Sequence, residues 1–154
     1  MTKRLFSYPV LLLLISISFL SCSKSDSNLP VTPSFTWTYG GIDYTATLTE
    51  AYTNGNGPYV IAAVIGTNFF TFTKRVDFIL TSFAIGTYQF QSGTTNLVRC
   101  MDNPYITAGS VNTTVTITAN SNNLLSGNFS GLLNDNSPVN KPISGTFINV
   151  PIVN

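Results

Sequence analysis

Ser34-Phe35-Thr36-Trp37-Thr38-Tyr39-Gly40-Gly41-Ile42-Asp43-Tyr44-Thr45-Ala46-Thr47-Leu48-Thr49 decides the fold class. Both flanks of Gly40-Gly41 alternate polar and apolar residues, the period-2 pattern of a half-buried strand. Two glycines accept the positive φ that a two-residue type I′ turn needs at both central positions. That turn pairs Tyr39 with Ile42, Trp37 with Tyr44 and Phe35 with Ala46. All six lie in the apolar frames, so pairing and burial agree. The stretch is predicted to be a β-hairpin with its second strand over residues 42–49.

Outward from the hairpin the chain keeps to β patterns. Thr53-Asn54-Gly55-Asn56-Gly57 is a turn cluster. Tyr59 to Ile65 is almost continuously apolar, as a strand covered on both faces would be. Phe70 and Phe72 alternate with Thr71 and Thr73, then Val76, Phe78 and Leu80 with Asp77. Gly86-Thr87-Tyr88-Gln89-Phe90 is a short strand. In the run from Leu97 to Met101, the charge on Arg99 favours Val98 and Cys100 pointing inward. Val111 to Ala119 alternates over its whole length and turns at Asn120 to Asn123. Leu125-Ser126-Gly127-Asn128-Phe129 recurs as Ile143-Ser144-Gly145-Thr146-Phe147. Glycine in each copy leaves room for a neighbouring aromatic ring or a bend. After Phe147 the apolar frame moves to Ile148, Val150 and Ile152, which predicts a β-bulge, and Pro151 puts the strand end at an edge. Asn134 to Pro142 is the longest polar loop. No amphipathic helix is visible. The expectation is an all-β domain of about nine strands, an antiparallel β-sandwich or partly open β-barrel.

Residues 1–33 read differently. Lys3 and Arg4 precede an apolar run from Val10 to Leu20, the layout of a secretory signal peptide. Eleven residues fall short of the roughly 20 needed to span a bilayer. Phe19-Leu20-Ser21-Cys22 resembles the lipobox of bacterial lipoproteins, with Phe19 where Leu is usual. The resemblance implies cleavage after Ser21 and lipid attachment at Cys22. Residues 1–21 are thus expected to be a lipoprotein signal peptide, 22–33 a Ser- and Pro-rich flexible tether, and 34–154 a single β domain. Ser23 after the cysteine does not favour inner-membrane retention, by analogy with other lipoproteins. Lys24 and Asp26 resemble the Lys-plus-acid export signal of Bacteroidota surface lipoproteins. They imply an outer-membrane location facing outward.

The C-terminal motifs, with Trp37, Tyr44 and Gly86-Thr87-Tyr88, resemble a family of small Bacteroidota lipoproteins of unknown function. The likeness spans about residues 34–152 and implies an exported all-β domain. It carries over no catalytic or ligand residue.

Composition narrows the chemistry. Losing residues 1–21 removes Lys3 and Arg4 and leaves five basic against six acidic side chains. No basic patch exists to recruit nucleic acid. Histidine is absent, which excludes Ser-His and Cys-His nucleophile pairs and histidine zinc sites. With Cys22 lipidated, Cys100 reads as a buried structural thiol, and no disulfide framework follows. Asp26, Asp43, Glu50, Asp77, Asp102 and Asp135 remain for glycosidase-type work, with Asp43 and Asp77 in outward, solvated frames. Asn134-Asp135-Asn136 offers a single carboxylate to a Ca²⁺ and reads as a loop. Trp37, Tyr39 and Tyr44 are either a sugar-stacking platform or, by their frame, core. No catalytic, cofactor or metal residue is assigned. The expectation is a non-enzymatic, lipid-anchored binding or interaction module, whose ligand is a glycan or an envelope protein. The alternatives are a glycan hydrolase using Asp/Glu and a structural accessory of the envelope. Converging carboxylates would favour the hydrolase.

Overall fold

The computed structural model describes residues 32–53, 55, 57–91, 94–102 and 105–153. The expected signal peptide, Cys22, Lys24, Asp26 and the tether up to residue 31 lie outside them. Asn54 and Asn56 of the first turn cluster do as well. The described residues form ten strands and no helix. In chain order these are β1 Ser34–Tyr39, β2 Ile42–Thr45, β3 Leu48–Thr53, β4 Tyr59–Gly66 and β5 Phe72–Leu80, then β6 Gly86–Gln91, β7 Leu97–Asp102, β8 Tyr105–Ser121, β9 Leu124–Asn134 and β10 Lys141–Val153.

The opening hairpin forms in the predicted register, Tyr39 against Ile42 and Trp37 against Tyr44. Ala46 N–H donates to Phe35 O at 2.9 Å. Gly40 and Gly41 both have positive φ, 59° and 86°, as a type I′ turn requires. One difference is the second strand, which stops at Thr45. Thr47 crosses to β4, where its N–H donates to Val64 O, and β3 starts afresh at Leu48. The alternation of 42–49 therefore spans two strands on different neighbours, ten strands rather than nine.

Seven strands close on themselves in the order β10–β3–β4–β5–β7–β8–β9 and back to β10. All neighbours are antiparallel except β10 with β3, where Ile152 and Val153 run parallel to Ala51 and Tyr52. β1 and β2 extend from β10, and β6 from β8. Pro151 was expected at an edge, but there is no edge: it pairs with Leu124, and the next two residues complete the barrel. The predicted bulge is present as a register shift between Phe147 and Val150, with Asn149 at φ 52°. Asn122 and Asn123, both left-handed, make the β8–β9 turn.

Inward positions fill the barrel. Phe35, Phe78, Phe129 and Phe147 meet at its centre; Phe35 lies 5.5 Å from Phe129 and 6.0 Å from both Phe78 and Phe147, centroid to centroid. The repeated Ser-Gly-x-Phe motif acquires its meaning from register. Phe129 pairs with Gly145 and Phe147 with Gly127, so each ring lies on the other copy's glycine. A methyl group on Gly127 would come within 2.4 Å of Phe147, and one on Gly145 within 2.5 Å of Phe129. Outward positions carry threonines that bond across strands, Thr36 to Thr146 and Thr87 to Thr116. β4 is buried on both faces, as its apolar run predicts. Phe70, however, is off the strand in the β4–β5 loop and 91% exposed.

Asp77 corrects a second expectation. Its frame is outward, yet it is completely buried. Arg75 Nε donates to one carboxylate oxygen at 2.7 Å and an Arg99 Nη to the other at 3.0 Å. A buried carboxylate has to be paired, and its partners are two residues away on the same face of β5 and opposite on β7. Alternation shows which face a residue takes; it does not show what lies over that face.

Candidate functional site

Strand direction brings the β1–β2 turn, the start of β5, the end of β7 and the β9–β10 loop to one end of the barrel. Between them lies a cavity of about 540 Å³. This is within the roughly 300–1,000 Å³ of small-molecule sites. A depression of about 600 Å³ on the outside of the β9–β10 loop has Lys141 as its one ionisable lining residue, so the mouth is the site with chemistry.

Its aromatic wall follows from the hairpin. Trp37 and Tyr44 are directly opposite on β1 and β2, and their rings stack at 5.1 Å with 19° between planes. All three line the cavity; Trp37 does so while only 4% exposed and part of the core, whereas Tyr44 and Tyr39 are half-buried. Core packing and cavity lining are thus not exclusive for these aromatics. The Tyr39 hydroxyl is buried near Asp135 without a hydrogen bond of good geometry to any described residue. Burial first, and the Asp135 charge second, push its pKa up to about 12.

Two ion pairs form the polar walls. Lys74 Nζ donates to Asp102 at 2.6 Å, a cross-strand pair of β5 and β7. Lys141 Nζ donates to Asp135 at 2.5 Å, tying the first residue of β10 to the loop before it. Ser137 N–H also donates to Asp135. These contacts, the Lys141 bond foremost, hold the Asp135 carboxyl well below its usual range. Lys74 also lies 5.9 Å from the centroid of the Tyr44 ring. Cys100 lines the cavity from β7, and its thiol is pushed up to about 12 by burial, with Asp102 and Asp77 adding to the effect. It is a protonated, poor nucleophile at neutral pH.

The acids singled out by sequence are divided by the fold. Asp102 and Asp135 converge in the cavity; Asp43 is exposed, accepting from Thr38 at 2.5 Å; Asp77 is in its arginine pair; Glu50 is on β3, away from the mouth lining. Desolvation raises the Glu50 pKa, with Arg75 opposing. Asn134-Asp135-Asn136 is a loop whose carboxylate is engaged by Lys141. Sequence reasoning missed Lys74 and Lys141 altogether. A signal was available: Lys74 shares the inward frame of Val76 and Phe78, Asp102 that of Cys100, and Lys141 that of Ile143. Charges in an inward frame at strand ends mark the rim of a barrel.

Neither a protein-family model, nor a curated protein, nor a solved structure matches this chain.

Proposed function

We propose that this protein is a lipid-anchored component of the bacterial cell envelope whose barrel binds a ligand at its mouth without converting it. The observation that carries the binding half is the mouth itself, a roomy cavity with a stacked aromatic wall and two ion pairs of balanced charge. The anchoring half rests on the signal-like segment and the lipobox-like Phe19-Leu20-Ser21-Cys22. Diacylation of Cys22 plus N-acylation supplies the two or more chains that stable anchoring needs.

A hydrolase is the second reading, favoured by the convergence of Asp102 and Asp135. Glycoside hydrolysis needs one carboxyl that is still protonated at working pH, through a raised pKa. Asp135 is shifted the opposite way and Asp102 is bonded to Lys74. The carboxyl with the raised pKa, Glu50, is not part of the mouth. Non-catalytic binding is the better fit.

The test has two arms. In membrane fractionation, Cys22→Ala should move the protein out of the outer-membrane fraction; the same fractionation as wild type would refute the anchor. For the mouth, full-length protein is used to pull envelope material from intact cells, beside an Asp135→Lys variant of unchanged melting temperature. Loss of retention in the variant is expected. Equal retention, or turnover of a glycoside, ester or peptide that stops when Asp102 or Asp135 is changed, would overturn non-catalytic binding at the mouth.

A further inference from the structure

The chemistry of the mouth narrows its ligand, given the reading of the mouth as a binding site. We infer that it accepts a neutral carbohydrate, one sugar unit of which enters the cavity with its ring against Tyr44 and its hydroxyls between the two Lys–Asp pairs.

Charge is the first argument. Lys74 is matched by Asp102 and Lys141 by Asp135, while Arg75, which also borders the cavity, shares the buried Asp77 carboxylate with Arg99. An anionic ligand would have to take a lysine from its carboxylate, and a cationic one a carboxylate from its lysine. A neutral ligand leaves both pairs intact. Yet the pairs are not saturated. Each ammonium has three donors and each carboxylate about four acceptor positions, of which the pairing uses a minority. Lys74, Asp102 and Lys141 keep 37%, 49% and 46% of their side-chain surface exposed, so those positions face the cavity or solvent. The Lys74–Asp102 wall therefore offers a donor and an acceptor within 2.6 Å of one another, and the other wall mainly the Lys141 donors, since Asp135 is 16% exposed. Adjacent ring hydroxyls, each donating and accepting at once, fit that arrangement; an apolar ligand would leave it unanswered.

Shape is the second argument. Tyr44 is half-buried and stacked on Trp37, with Lys74 Nζ 5.9 Å from its ring centroid, an aromatic surface of the kind that packs against the C–H face of a sugar ring.

Trp37 is the chain's sole tryptophan, so its emission reports on this site directly. Full-length protein in a sugar-free zwitterionic detergent is titrated with maltotriose, cellotriose, mannotriose and chitotriose, then with trigalacturonate and a sulfated trisaccharide. A saturable change in Trp37 emission is expected with at least one neutral probe, and about tenfold weaker binding of the charged ones. Tyr44→Ala should weaken the neutral probe about tenfold, while Tyr44→Phe, which keeps the ring, should stay within about threefold. Asp102→Asn, melting as wild type, should also weaken it. Binding of charged probes alone, or neutral binding indifferent to Tyr44 and Asp102, would overturn the inference. Silence of every probe, beside mouth-dependent retention of envelope material, would overturn the carbohydrate assignment and leave the binding role standing.

Discussion

Replacing Asp77 with alanine should cost this domain about 3 kcal/mol. The carboxylate is fully buried and accepts from Arg75 at 2.7 Å and Arg99 at 3.0 Å. Breaking a buried pair by removing one partner costs about 3–5 kcal/mol, because the other charge stays buried without compensation. Two guanidiniums are abandoned here, but unequally. The Arg99 side chain is 31% exposed and can turn towards water, so its share is largely screened. Arg75 is only 14% exposed. It retains a bond to Phe69 O and the faces of Phe69 and Phe72 at 5.8 and 5.9 Å, which soften its loss. The sum belongs at the low end of the range. For a domain of this size 1 kcal/mol shifts Tm by roughly 3–5 °C, so Tm should fall by roughly 10–15 °C. Asp77→Asn keeps the shape but turns an amide NH2 towards one guanidinium and a neutral oxygen towards the other, and should fall nearly as far. Asp43→Ala, which loses one exposed bond to Thr38, should stay within about 0.5 kcal/mol. Circular-dichroism melts and urea titrations of the three variants decide the matter. A Tm for Asp77→Ala within about 3 °C of wild type would refute the account of Asp77 as the counter-ion of a buried cluster.

Gly145→Ala should destabilise by at least about 3 kcal/mol or prevent folding, since its Cβ would lie 2.2 Å from Thr36 O and 2.9 Å from Trp37 Cα, backbone atoms that cannot rotate away. Gly109→Ala, with nothing within 4 Å, should be near neutral, and equal melts for the two would sink the interlocking-repeat argument. Stability should also decline at alkaline pH. In the fold Cys100 keeps its proton up to about 12 against 9.0 for the ordinary thiol, so between those values the unfolded chain releases a proton that the native state holds, and stability falls as pH rises. Tyr39, raised from 10.0 to about 12, acts in the same direction from pH 10 upward. Urea midpoints at about pH 7 and about pH 10.5 should differ less in Cys100→Ala than in wild type, and native Cys100 should resist alkylation until the protein unfolds. Fast native labelling, or an identical alkaline loss in the variant, would contradict this.

Local pattern alone determined a good deal of this protein. Alternation and the Gly40-Gly41 turn specify the first hairpin down to its pairs, because a two-residue turn leaves only one register that puts Trp37, Tyr44 and Phe35 on a common face. The shift of apolar frame after Phe147 announces the bulge, since a period of two cannot slip without an extra residue. The same reasoning puts Val98 and Cys100 inward. Tertiary structure decided the rest. The alternating run 42–49 is split between β2 and β3 because Thr47 finds its partner on β4, a neighbour no local pattern specifies. Pro151 lost its expected edge because Ile152 and Val153 meet β3 in parallel, a contact about a hundred residues distant in the chain. Asp77 obeys its outward frame and is buried nonetheless, since frame gives direction and burial depends on what else packs there. The mouth is the fullest case: Tyr39, Tyr44, Lys74, Asp102, Asp135 and Lys141 come from five strands and a loop, and they share a cavity only because closing the barrel brings those strand ends to the same pole.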